Sequence, residues 1–312
     1  MEAATFRRES TGLMHMAIIE GRWTGPIWDT HLHLDINGRG ISAAQDFANA
    51  GGTHLCLVHK PGFPNKLPES LDAVKQAYND TLDMADAVRR EVGIDVRVIL
   101  GPHPVVWEKQ IHTLGMERAT QLHIDSVALA LEYCAEGDAV ALGEVGRPHY
   151  PVSDEIWDAA NKQLETVMHM ASQADVSIQL HVEDHGAQTN AELASLCDRS
   201  SLDRKRGVHH YAPADVSAEF THGLSCSVSM GKDSLSTILD THRQCSSTWT
   251  METDFLDDPS RPGAVLGPKT VPKRTHALVS SMLEIESPEY VAELMHHVQY
   301  VWPSAHYGEF DS

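Results

Sequence analysis

Asp29-Thr30-His31-Leu32-His33-Leu34-Asp35 closes an apolar run over residues 27–34. The run reads as a buried strand carrying two imidazoles. Side chains alternate faces along a strand, so His31 and His33 point the same way and can chelate a divalent cation at its carboxyl end. No G-x-G-x-x-G follows, as a dinucleotide-binding open sheet would require. Working outward, β-rich runs recur at 53–59, 96–104, 139–145, 176–182, 207–211, 224–230 and 248–254. Helix-length stretches separate them. One carries Leu71, Val74, Tyr78, Leu82, Ala85 and Val88; another carries Ile156, Ala160, Leu164, Val167, Met168 and Ala171. Both series follow the helical period. Strands alternating with helices imply right-handed βαβ units and a parallel sheet. Eight such units predict an α/β fold, a single-domain (β/α)8 TIM barrel over 26–312, preceded by a polar tail and lead-in at 1–25. Ser287-Pro288-Glu289 marks a late helix start in the closing stretch 283–302.

The chain has 312 residues, 42% of them hydrophobic, which excludes a disordered chain or a small disulfide-stapled one. The formal charge is −20, from 44 Asp and Glu against 24 Lys and Arg. Such a surface repels a polyanion at long range, so an extended DNA-coating protein is not expected, although one phosphate can still be held through metal ions. The acidity fits either plain solubility or a high-salt cytoplasm, where mobile ions screen the surface's self-repulsion. Cys56, Cys134, Cys197, Cys226 and Cys245 are scattered, with no C-x-x-C, which points away from disulfides and thiolate zinc and towards a reducing cytoplasm. No apolar run is long enough for a membrane span, and no cleavable secretion signal is read in 1–25.

Ligand-type residues recur at the carboxyl ends of the later runs, where barrel enzymes place their sites. Gly143-Glu144-Val145-Gly146 buries an acid in an apolar strand, which is costly unless the acid is paired or metal-bound. Ile178-Gln179-Leu180-His181, Val208-His209-His210 and Met251-Glu252-Thr253-Asp254 add further candidates. His31, His33, Glu144, His181, His210 and Asp254 together suit one or two divalent ions, with Glu144 as a bridge; Zn, Mn, Mg, Fe and Ni all accept mixed imidazole and carboxylate donors.

These motifs, in this order, resemble the TatD family of metal-dependent hydrolases in the amidohydrolase superfamily, over about residues 27 to 300. Gly51-Gly52-Thr53-His54, Gly146-Arg147-Pro148-His149-Tyr150 and Asp257-Asp258-Pro259-Ser260-Arg261-Pro262-Gly263 resemble an archaeal branch of predicted metal-dependent hydrolases. The resemblance implies one metal on His31, His33, Glu144 and Asp254 and a second on Glu144, His181 and His210. His210 is taken over His209 because it fits the family pattern Gly-Val-x-His and shares a face with Val208. DNA-cleaving members carry Leu-Asp after the glycine where this chain has Arg147-Pro148. The carboxylated lysine of phosphotriesterase-like relatives is replaced by Glu144.

The expected chemistry is hydrolysis by an activated water, with Asp254 as proton acceptor. A phosphodiester substrate, including a nucleic-acid end as in TatD-like deoxyribonucleases, stands first. A small amide, lactone or ester stands second, and a non-catalytic metal-binding barrel third. His103, Arg147 and Lys60 are the substrate-contact candidates. Convergence of Arg147, Arg261 and Lys269 on the metals would favour phosphate; an apolar mouth would favour a carbonyl substrate.

Overall fold

The computed structural model describes residues 17–60, 67–261, 263 and 265–309. Strands β1 (Trp28–His33), β2 (His54–Val58), β3 (Asp95–Leu100), β4 (Ala141–Gly146), β5 (Ser177–His181), β6 (Gly207–Ala212), β7 (Ser225–Ser229) and β8 (Trp249–Glu252) lie side by side in chain order, all parallel. Just past β8, β9 (Phe255–Leu256) pairs in parallel with β1. The Asp254 amide donates to the His31 carbonyl at 3.0 Å, and the Thr30 hydroxyl donates to the Met251 carbonyl at 3.0 Å. Last strand is thereby stitched to first, and the sheet closes into a (β/α)8 barrel.

The helices are α1 (Ile41–Asn49), α2 (Leu71–Val92), α3 (Pro104–Leu114), α4 (Met116–Glu136), α5 (Asp154–Ala174), α6 (Ala187–Ser200), α7 (Ala218–Thr221), α8 (Ser234–Thr241), α9 (Thr270–Met282), α10 (Pro288–His296) and α11 (Trp302–Tyr307). Their starts follow side-chain capping. Ser70, Ser153 and Ser287 each accept an amide hydrogen in the first turn of α2, α5 and α10, and Pro288 occupies the first turn of α10. The periodic series bury as expected: Val74, Tyr78, Ala85 and Val88 on α2, and Ala160, Leu164, Val167, Met168 and Ala171 on α5. Leu71 is exposed instead, because it opens the helix beyond the core's edge.

The barrel interior is layered. Trp28, Cys56, Ala141 and Tyr307 pack together in the lower barrel, with Tyr307 inserted from the C-terminal helix α11, and Val58 and Ile99 extend the same cluster towards the carboxyl ends of β2 and β3. Above them the hydroxyls of Thr30, Ser227 and Thr250 form a hydrogen-bonded layer beside Gln179. The metal-ligand candidates lie above that layer.

Two sequence expectations change. The run 96–104 is a strand only to Leu100, because Pro104 cannot continue a ladder and instead opens α3, with His103 as its N-cap. Residues 18–23, read as lead-in, form a two-stranded hairpin that buries Trp23 against the core formed with Trp249 and Met282. The polar tail proper lies outside the described residues.

Candidate metal centre

Three strands that carry ligand candidates shift register beside them: β1 against β2 between Asp29 and Leu32, β4 against β5 between Leu142 and Val145, and β6 against β7 between His209 and Ala212. Such irregularities re-aim side chains and cluster at functional sites. In β1 strict alternation is broken, so Thr30 and His31 both face the lumen, and His33 still converges with His31.

The first ligand set is compact. His31 Nε2 and His33 Nε2 are 3.2 Å apart. His33 Nε2 lies 3.4 Å from Glu144 Oε2 and 3.6 Å from Asp254 Oδ1; His31 Nε2 lies 3.9 Å from Glu144 Oε1 and 3.8 Å from Asp254 Oδ1. Donors about 2.1 Å from a tetrahedral cation are about 3.4 Å from one another. These separations therefore suit one ion. The Asp254 backbone is left-handed at φ 49°, a conformation Asp tolerates better than most side chains, and it turns the carboxylate into the cluster.

Glu144 joins this set to a second. Its Oε1 is 2.8 Å from His181 Nδ1 and 2.9 Å from His210 Nε2, and those nitrogens are 3.2 Å apart. His209 faces the other way and bonds Asn190 Oδ1 at 2.7 Å from Nδ1. All six ligand candidates thus meet, with Glu144 in the bridging position.

Three contributing residues escaped the sequence reading. Gln179 accepts His31 Nδ1–H at Oε1, 2.8 Å away. Glu252 Oε1 accepts His210 Nδ1–H at 3.2 Å and the Tyr211 amide at 2.8 Å. His149 Nδ1 lies 2.7 Å from His181 Nε2. The available signal was polarity two positions before a ligand, at Gln179 before His181 and Glu252 before Asp254. Such outer partners fix ring tautomers at metal sites.

The hydrogen bonds themselves test whether a cation fits. His31 Nδ1 donates to Gln179, whose own amide nitrogen donates to the Thr30 carbonyl at 2.9 Å, and His33 Nδ1 donates to the Val58 carbonyl at 3.0 Å. In neutral rings both Nε2 atoms then present lone pairs to each other across 3.2 Å. That arrangement needs a positive charge between them. Burial would raise the Glu144 carboxyl, but the surrounding imidazoles of His103, His210 and His181 hold it well below its ordinary range. Burial, then His210, push His31 well below its ordinary value. His210 is raised against the effect of burial by Glu252 and Glu144. The cluster is built for cationic charge, and the donor set fits divalent metal ions.

Four of the ligand candidates, His33, Glu144, His181 and Asp254, form one wall of a cavity of about 420 Å³, bordered by Lys60, His103, Lys109, His149, Asp258 and Arg261. The Asp254 side chain, 21% exposed, opens to it, whereas His31 and Glu144 are sealed at 0% and 3%. His103 does two things. Its Nδ1 accepts the Val105 amide hydrogen at 3.1 Å, which places the ring hydrogen on Nε2, 3.8 Å from Glu144 Oε1. It is therefore a hydrogen-bond donor into the cavity rather than a ligand. Lys60 stands at the rim, its Nζ 2.5 Å from Asp35 Oδ2 and 2.9 Å from the Asp257 carbonyl.

Arg147 does not join the site. Its guanidinium is buried, paired with Glu183 and Glu192, bonded to Asn161 and stacked 4.4 Å over Trp157, because a buried charge needs full compensation. Lys269 is drawn off to Asp46 at 2.9 Å. Of the three cations expected to converge for phosphate, only Arg261 reaches the cavity, with its Nε 2.9 Å from Asp258 Oδ2.

Among the described residues no helix is long and apolar enough to cross a membrane. The family model described as TatD related DNase matches residues 28–298. An uncharacterised protein of Methanocaldococcus jannaschii is 30% identical over 257 residues, covering 81% of this chain and 88% of that protein. Crystal structures of a TatD homologue from Escherichia coli and a TatD family hydrolase from Entamoeba histolytica superpose with TM-scores of 0.60 and 0.58 at 18% and 13% identity. They cover 90% and 91% of this chain, and 97% and 100% of their own. Family match, barrel and ligand cluster agree, and the chain belongs to the TatD-related family of metal-dependent hydrolases.

Proposed function

We propose that the protein hydrolyses a phosphodiester, with a nucleic-acid end as the leading substrate class, through two divalent ions sharing Glu144. The observation that carries this is the convergence of six ligand side chains on one bridging carboxylate, with Asp254 open to a cavity edged by Lys60, Lys109 and Arg261. His31, His33, Glu144 and Asp254 would hold one ion and Glu144, His181 and His210 the other. Four imidazoles favour Zn, Fe or Ni over Mg and Mn, which prefer oxygen donors. Bound there, divalent ions acidify water towards a pKa of about 7 and polarise the phosphoryl oxygen.

The chain supplies the rest. Asp254 accepts the water's proton at Oδ2, the oxygen not turned to His31 and His33, and returns it to the leaving oxygen. His103 Nε2–H donates to a non-bridging oxygen, and Lys60 and Arg261, each paired with an aspartate at the rim, offer their remaining N–H donors to the substrate. His149 and Glu252 keep His181 and His210 in place. The five cysteines are all free thiols, which supports a cytoplasmic setting.

One observation favours the second reading, a small ester, lactone or amide: Arg147 and Lys269 are engaged elsewhere, so the mouth is less basic than a polyanion binder needs. The deciding experiment assays metal-reconstituted protein against oligonucleotides, simple phosphodiesters, lactones and N-acyl amides, with D254N as the blank. Turnover of phosphodiesters is the expected result. Turnover confined to carbonyl substrates would overturn the phosphodiester assignment.

A further inference from the structure

A second chamber, of about 510 Å³, lies beside the metal cavity and shares Lys60 and His103 with it as common walls. Its volume is in the range of small-molecule sites, about 300–1,000 Å³. It is bounded by the end of β2, by α2 and α3, and by α4. The walls are largely apolar, with Val74, Tyr78 and Val106 among them. The polar groups that interrupt them have fixed roles. His59 Nδ1 donates to Thr81 Oγ1 at 3.0 Å, because the Thr81 hydroxyl itself donates to the Ala77 carbonyl; His59 Nε2 is left as an acceptor. The Gln110 amide nitrogen donates one hydrogen to the Pro68 carbonyl, leaving its second hydrogen and Oε1 for another partner. His123, 2% exposed, lines the chamber and has no hydrogen-bond partner among the described residues. A buried imidazole without a partner is uncommon unless a ligand or water supplies one. Burial keeps that ring neutral, so it offers one donor and one acceptor. The chamber also lacks a net anion-binding charge: Lys60 is tied to Asp35, while Arg118 and Glu69 stand at the exposed rim with opposite signs.

We propose that this chamber is the subsite for one uncharged heteroaromatic ring of the substrate, a nucleobase carried next to the phosphodiester in the metal cavity. This rests on the phosphodiester reading above. Apolar walls suit the faces of a flat ring, and His59, Gln110 and His123 suit its hydrogen-bonding edge.

The test uses the metal-loaded full chain with ring-13C-labelled histidine, titrated with adenosine, thymidine and ribose 5-phosphate. His123→Phe assigns the His123 resonance. Both nucleosides should shift that resonance saturably, and ribose 5-phosphate should not. Ala73→Trp, which adds bulk at the chamber's exposed rim, should weaken nucleoside binding at least tenfold, and His123→Phe should weaken it too. Ala73→Trp should leave cleavage of an abasic dinucleotide unchanged. Nucleosides that leave His123 unmoved, or that bind Ala73→Trp as tightly as the parent, would overturn the proposal. Failure of the phosphodiester reading looks different: neither base-bearing nor abasic dinucleotides are cleaved, and the nucleoside titration still decides the chamber.

Discussion

Gln179 holds His31 in the tautomer that presents Nε2 to the metal cavity. Its Oε1 accepts from His31 Nδ1 at 2.8 Å, while its amide nitrogen donates to the Thr30 carbonyl at 2.9 Å and to the Tyr307 hydroxyl at 2.8 Å. The amide cannot flip without setting a donor against the donor it now accepts, so the ring's orientation is locked from the layer below. Gln179→Met keeps the volume and removes the lock. Metal affinity should fall about 10–100-fold, as for other outer partners of ligating histidines. A competition titration against a chelating dye checks this; unchanged affinity would show that packing alone orients the ring.

Asp254→Asn should cut turnover by about 10²–10⁴-fold, the usual contribution of a positioned proton acceptor. The fold should survive. Asn tolerates the left-handed backbone at φ 49°, and the bond from the residue-254 amide to the His31 carbonyl does not depend on the side chain. Kinetics on the identified substrate, with circular dichroism and metal content alongside, separate lost chemistry from lost structure. Full activity in D254N would remove the residue from the proton path.

The barrel was legible because its signal is local: eight β-rich runs with helical periods between them, each consistent with one neighbour relationship. The convergence of the ligand candidates was legible for the same reason, since each stands near the carboxyl end of its own strand. Arg147 was misread because its partners Glu183, Glu192, Asn161 and Trp157 lie on other elements, and no local pattern shows a guanidinium turning away from the mouth. His103 shows the opposite case. Its Nδ1 is used as the cap of α3, which the flanking Pro102 and Pro104 make intelligible, while its Nε2 is left turned towards the metal cavity. The register shifts in β1, β4 and β6 are set by pairing across strands, so alternation within a strand could not reveal them.

Asp257 pins the loop after β1 to the loop after β8. Its carboxylate accepts amide hydrogens from Asp35 at 3.1 Å, Arg39 at 2.8 Å and Gly40 at 2.7 Å, and its carbonyl accepts from Lys60 at 2.9 Å. A Cβ on Gly38 would sit 2.5 Å from that carboxylate, so the cradle requires glycine there. Asp257→Ala leaves three amides without their acceptor and should cost about 1–3 kcal/mol. By loosening the rim beside Asp254 it should also lower kcat/KM on the order of tenfold, through misplacement rather than lost chemistry. Gly38→Ala should act in the same direction. Thermal unfolding and kinetics together check this; normal kinetics in both variants would confine the clamp to stability.

Two buried histidines outside the cluster of ligand candidates set an acid limit on the fold. His306 closes the amino-terminal end of the barrel, its ring nitrogens 3.0 Å from Ser177 Oγ and 2.8 Å from Thr248 Oγ1, and burial lowers it from 6.5 to about 4. Burial lowers His123 to about 3. In the unfolded chain both rings take up a proton near pH 6.5, whereas the folded chain refuses it until well below. Their contribution is therefore complete above about pH 6.5 and is lost as pH falls towards the folded values, at up to about 1.4 kcal/mol per pH unit for each ring. Above that window neither ring makes stability depend on pH. His306→Gln keeps a hydrogen-bonding side chain without the titration, so its urea midpoint should fall less steeply between pH 6.5 and 4.5 than that of the parent chain. Parallel slopes for the two proteins would mean that protonation of His306 does not drive acid unfolding.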